Sequence, residues 1–536
     1  MKKIIIDVIT NSLKHLNIDN EGVVEVEKPK IKDNGDFSSN IALKLTKILH
    51  ESPMEIADKI CENISDERII KVEVKKPGFI NFFVNKKYLI DNIDNVIKLN
   101  DLYGSSNIGN NIKYNIEFVS ANPTGTLHLG NARGGAYGDS LARILKFSGF
   151  DVTTEYYIND AGNQIDNLGL SIKARYLEIC GKEFKIPENG YHGKEIIDIA
   201  KKLYDEYKDS LIEKELEFFK EVGVENLLNA IITDLKEYRI EYDVFTSEKK
   251  IREQYNIDDL LNKMQENGYI YEKDGAKWFK CSALFDDKDH VLVKSDGEYT
   301  YLVSDIAYHL DKVNRGYDKM IDILGTDHHG YVARLKSSVQ ALGNDADKLD
   351  VKLLQLVRLV EDGQVVKMSK RTGKSVTLKE LMDEVGVNAT RYYFSRYSLD
   401  TQMDFNLTQA KTKSNENPVY YVTYAYARIC SILKSYENEI IIDEYKSLNN
   451  ELAYNVLEKV YEFPEVVKNA ARKELPHLIT QYTYDLASSF HLYYTQNRIL
   501  TDDKEVTQEN INLIKAVKIT LNNALNLIGI IPPEKM

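Results

Sequence analysis

Apolar positions along the chain change period several times, and each change marks an element. Helical spacing predicts helices over 4–16 and 40–49. A strand is read at 23–26, and strands at 71–74 and 79–84 flank the turn residues Pro77-Gly78. Residues 1–105 thus form a small α+β unit, and the Gly-, Asn- and Ser-bearing stretch 101–111 reads as a linker. A short buried strand over 114–119 follows, then the loop Asn122-Pro123-Thr124-Gly125, a long helix over 131–147 and a strand over 151–157. Strand, loop, helix and strand make a βαβ unit of a parallel sheet. Residues 181–285 read mostly as charged amphipathic helices ending in the β-like 276–279, inserted between two halves of that sheet. Strand patterns return at 299–304, 320–325 and 357–360, and from about 389 the chain is helical to its end. The expected architecture is a parallel-sheet α/β core over 106–385, with the α+β unit before it and an all-α region over 386–536.

The helix at 131–147 carries Ala132, Gly134, Gly135, Ala136 and Gly138. Glycine weakens a helix, so these residues point either to close approach by a ligand or backbone, or to tight packing of helix on sheet.

Composition narrows the class. At 536 residues the chain holds several domains, and 43% hydrophobic with 29% charged residues is ordinary for a soluble protein. Apolar runs fall short of a membrane span, and Asp7 interrupts the first one too early for a signal peptide, so a cytoplasmic address is expected and no membrane partner. Cys61, Cys180, Cys281 and Cys430 are far apart, which argues against a structural metal or a disulfide framework. A net charge of -13 argues against nonspecific coating of nucleic acid but leaves specific RNA binding open. The 35 tyrosines include side chains suited to stacking on exposed bases.

Two loops carry the chemistry. The first runs from Ala121 through Asn122-Pro123-Thr124-Gly125 to His128-Leu129-Gly130-Asn131, from a strand's carboxyl end into a helix amino end. Ligands of open α/β sheets bind there, and the helix terminus offers free N–H groups to phosphate. Gly130 would let a nucleotide ring lie against the backbone, and His128 would donate to a phosphate oxygen. The second is Lys367-Met368-Ser369-Lys370-Arg371, with Gly363 and Gly373 at its shoulders. Lysines on such a loop gather where charge develops on phosphates, stabilising the transition state selectively. The plainer readings are a surface loop for the lone His-x-Gly and a solvated basic loop for the lysines.

Together the strings resemble the signatures of class I aminoacyl-tRNA synthetases, and within them the arginyl-tRNA synthetase family. The resemblance spans nearly the whole chain. It is carried by Glu117 to Arg133, by Glu155-Tyr156-Tyr157-Ile158-Asn159-Asp160-Ala161-Gly162-Asn163-Gln164, by Gly325-Thr326-Asp327-His328-His329-Gly330-Tyr331, by 367–377 and by the ending Pro532-Pro533-Glu534-Lys535-Met536. Two departures stand out: Asn131 replaces the second histidine of the first signature, and the Asp-Ala-Leu-Arg string of the family's anticodon-binding domain is absent as such.

The resemblance implies a Rossmann-type core that joins arginine to tRNA(Arg) with ATP and its Mg2+. It implies His128, Asn131, Lys367 and Lys370 as catalytic residues. ATP would lie on Asn122, Pro123, Thr124, Gly125, His128, Gly130, Asn131, Gly325, Asp327, His328, Met368 and Ser369. Arginine would be held by Glu117, Asn122, Tyr301, Asp305 and His328, since a guanidinium calls for facing carboxylates. Phe37 and Asn40 in the first domain, and Tyr421, Tyr424, Arg428 and Met536 in the last, would meet tRNA. Without the resemblance, Asp305 reads equally well as an acid at a helix N-terminus, and Tyr421 and Tyr424 as core. The Asp327-His328-His329 run is read as part of a nucleotide site rather than a metal site. A monomer is expected. Rival readings are another class I synthetase, a small-molecule nucleotidyltransferase, and an RNA-binding paralogue without catalysis.

Overall fold

The computed structural model describes residues 1–18, 24–29, 31–366, 376–438, 440–442 and 444–536. Its centre is a five-stranded, all-parallel sheet. The strands lie in the spatial order Leu349–Leu354, Lys319–Gly325, Lys113–Glu117, Asp151–Ile158, Val244–Ser247. The chain starts in the middle strand, winds outward one way, then returns and winds outward the other way. The strand order therefore reverses between Lys113–Glu117 and Lys319–Gly325, and the carboxyl ends of those strands frame a crevice.

Helix Leu129–Phe147 crosses one face of the sheet and is buried along most of its length. Its glycines serve that packing. A Cβ on Gly138 would sit 2.3 Å from Phe118 Cγ, and one on Gly135 2.8 Å from Ile240 Cδ1. Helix Tyr301–Asn314 covers the opposite face.

Several sequence readings are corrected. Residues 299–304 do not form a strand: Thr300 is the N-cap of helix Tyr301–Asn314, whose buried Leu302, Val303, Ile306 and Ala307 follow helical spacing. That period extends beyond the window in which Tyr, Thr and Val suggested β structure. The stretch 181–285, read mostly as inserted helices, also supplies the edge strand of the main sheet, Val244–Ser247. Ile270–Lys273, Ala276–Phe279 and His290–Val293 form a separate antiparallel sheet. The strand Val357–Glu361 leaves the main sheet and pairs with Gln364–Val366 and with Met403–Asn406, a strand inside the region read as all-helical. The strand read at 23–26 is Val26–Glu27, with Val23 outside the described residues.

The first unit is a four-stranded antiparallel sheet, Val26–Glu27, Phe37–Ser39, Phe79–Val84 and Ile69–Lys75, with helices Lys2–His15, Ile41–Leu49 and Pro53–Glu62. The stretch read as a linker is built into the body of the protein. Tyr103 is 2% exposed and donates to Val460 O at 2.8 Å, while Asn523 Nδ2 donates to the carbonyls of Asn100 and Tyr103.

The carboxyl-terminal bundle consists of Pro418–Ser435, Glu451–Lys473, His477–Gln496 and Lys504–Leu527. It joins the core through Arg391, whose guanidinium is fully buried. Arg391 donates to Asp139 of helix Leu129–Phe147, to Tyr238 O at 2.9 Å and to Ile528 O at 2.9 Å. A buried arginine with that many acceptors is satisfied only where all three segments meet. Arg133 does similar work nearer the crevice, donating to the carbonyls of Gln355, Ser398 and Thr401. Among the described residues no helix is long and apolar enough to cross a membrane.

Candidate active site

The crevice opens into a cleft of about 1020 Å³. Glu117, Asn122, Thr124, Gly125, His128, Gly130, Asn131, Tyr301, Asp305, Gly325, Asp327 and His328, all singled out from sequence, line it together. Pro123 is buried beside them and does not line it. Lys367, Met368, Ser369 and Lys370 lie outside the described residues, but the flanking Val365, Val366 and Val376 reach the cleft wall.

At one end the amino terminus of helix Leu129–Phe147 faces the cleft. His128 is its N-cap: Nδ1 accepts from the N–H groups of Gly130 (3.1 Å) and Asn131 (3.3 Å), while Asn131 Oδ1 accepts from His128 N (3.1 Å). This reciprocal cap fixes the chemistry of both side chains. With Nδ1 accepting, the ring proton sits on Nε2. Desolvation in the cleft lowers the pKa of His128 against the opposing pull of Asp327, which favours this neutral donor. The amide oxygen of Asn131 is committed to the cap, leaving Nδ2 as its free donor. At Gly130 an added Cβ would lie 3.0 Å from His128 Cε1, so glycine there also makes room for the capping ring. At Gly125 an added Cβ would meet nothing within 4 Å. Just beyond the lysine string, Leu378 N donates to Leu127 O at 2.8 Å, and Thr377 bridges to His128. The residues that follow the second signature are therefore tied to the first signature loop through backbone.

The other end is acidic. Glu155, Glu117 and Asp322 are register partners across three adjacent strands, so three carboxylates form one row on one face. Like charges placed opposite each other destabilise a sheet. Helix Tyr301–Asn314 answers them. Lys312, 0% exposed, lies 2.5 Å from Glu117 Oε2 and 2.7 Å from Asp322 Oδ1. Arg315 reaches both oxygens of Glu155 at 2.9 Å. Tyr308 donates to Glu117 Oε2 at 2.9 Å, and His309 Nε2 lies 2.8 Å from Asp322 Oδ2. Burial alone would neutralise Lys312, but Asp322, Glu117 and Glu155 outweigh it and hold the ammonium charged. Burial likewise opposes a charge on His309, and the hydrogen bond and field of Asp322 reverse that effect.

The backbone turning from this row into the first loop is strained. Val119 and Ser120 have φ of 70° and 36°, a region costly for a β-branched residue. Ser120 locks the turn, its hydroxyl donating to Glu117 Oε1 at 2.9 Å and accepting from Tyr157 N at 3.0 Å.

Asp305 lies one helical turn after Tyr301 and accepts from the Tyr331 hydroxyl. Burial pushes its carboxyl up to about 6, with Tyr331 and His309 pulling the other way and Glu248 and Glu117 adding to the rise. Tyr301 is 63% exposed at the mouth of the cleft. Asp327 and His328 sit in a short turn after Lys319–Gly325, 3.6 Å apart, and no group among the described residues is arranged to hold a metal ion.

Sequence reading missed Tyr308, His309, Lys312 and Tyr331. The signal for the first three is present: Asp305, Tyr308, His309 and Lys312 recur at spacings of three and four, a polar stripe on an otherwise apolar helix. Reading 299–304 as a strand concealed it.

Of the residues assigned to tRNA, Phe37 is corrected. It is 3% exposed in the core of the first unit, because its strand turns that side chain inward, so the ring is unavailable to RNA. Asn40 is the N-cap of Ile41–Leu49 and half-buried. Tyr421 and Tyr424 are half-buried in an aromatic patch with His491, and Arg428 lies 4.5 Å from the ring centres of both Tyr424 and Tyr494. Met536 is 53% exposed, and a Lys434–Glu534 pair (2.5 Å) ties its segment to the end of the same helix.

Comparison with known proteins accounts for this arrangement. Residues 3–84 match the arginyl tRNA synthetase N-terminal domain, 92–396 the catalytic domain of class I tRNA synthetases (R), and 422–536 the DALR anticodon binding domain. The last match holds although the four-residue string naming that domain is absent. The arginine–tRNA ligase of Bacillus licheniformis is 47% identical over 524 residues, covering 96% of this chain and 94% of its own. That of Geobacillus thermodenitrificans is 48% identical over 527 residues with the same coverage. A crystal structure described as a putative arginyl tRNA synthetase from Campylobacter jejuni superposes with a TM-score of 0.79 at 32% identity, over 84% of this chain and 100% of that one. Thermus thermophilus arginyl-tRNA synthetase, 20% identical, shares the fold over 100% of both chains with a TM-score of 0.77. With its catalytic core, both flanking domains and close relatives all in agreement, the chain belongs to the arginyl-tRNA synthetase family of class I.

Proposed function

We propose that this chain is an arginine–tRNA ligase working in two steps in the cleft. A carboxylate oxygen of arginine attacks the α-phosphorus of MgATP, forming arginyl-adenylate as pyrophosphate leaves. The 2′-hydroxyl of the terminal adenosine of tRNA(Arg) then attacks the arginyl carbonyl, and AMP leaves. Mg2+ enters with the nucleotide as part of the substrate. Chemistry of this kind needs alignment and charge stabilisation rather than a covalent nucleophile.

The observation that carries the reading is the polarity of the cleft. A helix amino terminus capped by a neutral, Nε2–H-bearing His128 stands at one end. A half-buried Asp305, in no ion pair among the described residues, stands at the other. Phosphate suits the first and a guanidinium the second. His128 and the Asn131 amide donate to phosphate oxygens, with Gly125 leaving open space beside them. Gly325, Asp327 and His328 bound the adenosine. Glu117 and Asn122 take the α-amino end of arginine, while Tyr301 and Asp305 take its side chain. Lys367 and Lys370 complete the phosphate set, with Met368 and Ser369 between them. Residues 1–105 meet the body of the tRNA, and Tyr421, Tyr424, Arg428 and Met536 meet its anticodon end. The enzyme works as a cytoplasmic monomer.

ATP–pyrophosphate exchange with each amino acid, with and without tRNA, tests the reading. Arginine alone should support exchange or charging, and use of another amino acid in its place would refute the assignment. Lys370→Ala should lower kcat far more than it raises KM for arginine.

A further inference from the structure

Of the buried side-chain polar atoms without a hydrogen-bond partner among the described residues, the Tyr157 hydroxyl alone belongs to a residue lining the cleft. Tyr157 lies near the carboxyl end of strand Asp151–Ile158 and is 5% exposed. Alternation along the strand sends Tyr156 to the far side, where its hydroxyl donates to Ala121 O at 2.7 Å, and sends Tyr157 toward the cleft. Its position is firmly set. The ring stacks on Tyr308 with centres 4.2 Å apart and planes 26° apart, and its backbone N–H is held by Ser120. Tyr308 in turn holds Glu117. A phenol fixed this closely and left unpaired is unusual, because buried hydroxyls normally find a partner.

We propose that Tyr157 is a specificity-determining residue for the amino-acid substrate, its phenolic oxygen accepting an N–H of the arginine guanidinium. A guanidinium presents five N–H donors and no acceptor, so carboxylates alone leave some donors to be met by a neutral oxygen. Tyr157 supplies such an oxygen without adding another negative charge. Burial and the nearby Glu248, Asp305 and Glu117 carboxylates all raise its pKa, keeping it a neutral phenol.

The inference rests on the cleft being an arginine site, and the test separates the two. Tyr157→Phe keeps the ring and its stack on Tyr308 and removes only the oxygen. In tRNA-supported ATP–pyrophosphate exchange, KM for arginine should rise roughly ten-fold or more, as expected for losing one hydrogen bond to a charged group. KM for ATP and the melting temperature should hold, and kcat should change much less. An unchanged KM for arginine in the folded variant would overturn the role of Tyr157, as would a rise in both KM values together with a lower melting temperature, which would mark a packing role. Asp305→Asn is the control: if it too leaves KM for arginine unchanged, the reading of the cleft itself fails.

Discussion

The row of three carboxylates makes Lys312 a consequential buried cation behind the cleft. Replacing it with methionine keeps most of the side-chain volume and removes the charge together with its hydrogen bonds to Glu117 and Asp322. Glu117 and Asp322, 2.5 and 2.7 Å from the ammonium, are then buried without it. Breaking a buried pair costs about 3–5 kcal/mol. Tyr308, Ser120 and His309 remain as partners, so the lower end, about 3 kcal/mol, is expected, a shift of roughly 10²-fold in the folding equilibrium. On the transition of the unit carrying the sheet this is roughly 6–12 °C. The pH dependence gives a sharper check. In the wild type, burial would raise the carboxyl of Asp322, but Lys312 and His309 outweigh it and hold it well below the usual range. Its stabilising contribution is present above the unfolded carboxylate pKa, about 3.9, and is lost only as pH falls through the depressed folded value. In the variant Asp322 loses the main charge that holds its carboxyl down, so burial lets it take up a proton more readily on acidification, which relieves the repulsion. Melting followed by circular dichroism from pH 8 to pH 5 should therefore show a deficit that shrinks on acidification. Equal melting temperatures near pH 7.5, or a deficit that grows toward pH 5, would refute the argument.

Asp305, with its carboxyl raised to about 6 chiefly by burial, must be ionised to hold a guanidinium. KM for arginine should fall as pH rises through that value and level off above it, and Asp305→Asn should abolish the dependence. His128→Ala removes both the helix cap, worth about 1 kcal/mol, and the phosphate donor. His128→Asn should restore the melting temperature but leave kcat depressed by roughly 10²-fold; recovery of kcat would show that only the cap matters. Gly138→Ala forces a Cβ to within 2.3 Å of Phe118 and should cost about 1–3 kcal/mol in denaturant titration. Gly125→Ala, with nothing within 4 Å, should leave the stability near that of the wild type.

What was legible in the chain follows its local physics. The unit from Lys113 to Ile158 could be read because its hydrophobic period switches from strand to helix and back over long segments, with glycine and proline marking the loop. Val244–Ser247 and Met403–Asn406 could not, since each is four residues long and owes its strand character to partners distant in sequence. The helix at Tyr301 was mistaken for a strand because its first residues favour β structure, and only the period through Lys312 reveals it. In the site, glycines, histidine and acids at strand ends are visible as types out of place. Lys312 shows in the sequence only through the polar stripe it shares with Asp305, Tyr308 and His309, and the register of Glu155, Glu117 and Asp322 is what explains its burial. The His128–Asn131 cap was hidden for a related reason: the substitution at 131 reads as a lost cation until the geometry shows its oxygen closing the helix end.

The junction at Arg391 also has a bearing on how this protein is made. A ribosome releases the chain from its amino terminus, and the Ile528 carbonyl that Arg391 binds lies 137 residues downstream. At roughly 5–20 residues per second, that interval is about 7–30 s. During it, Asp139 of helix Leu129–Phe147 and Arg391 are available to each other, while the acceptor that completes the junction has yet to be synthesised. Helix Leu129–Phe147, whose amino end faces the cleft, is thus braced late, after both signature strings have already been synthesised.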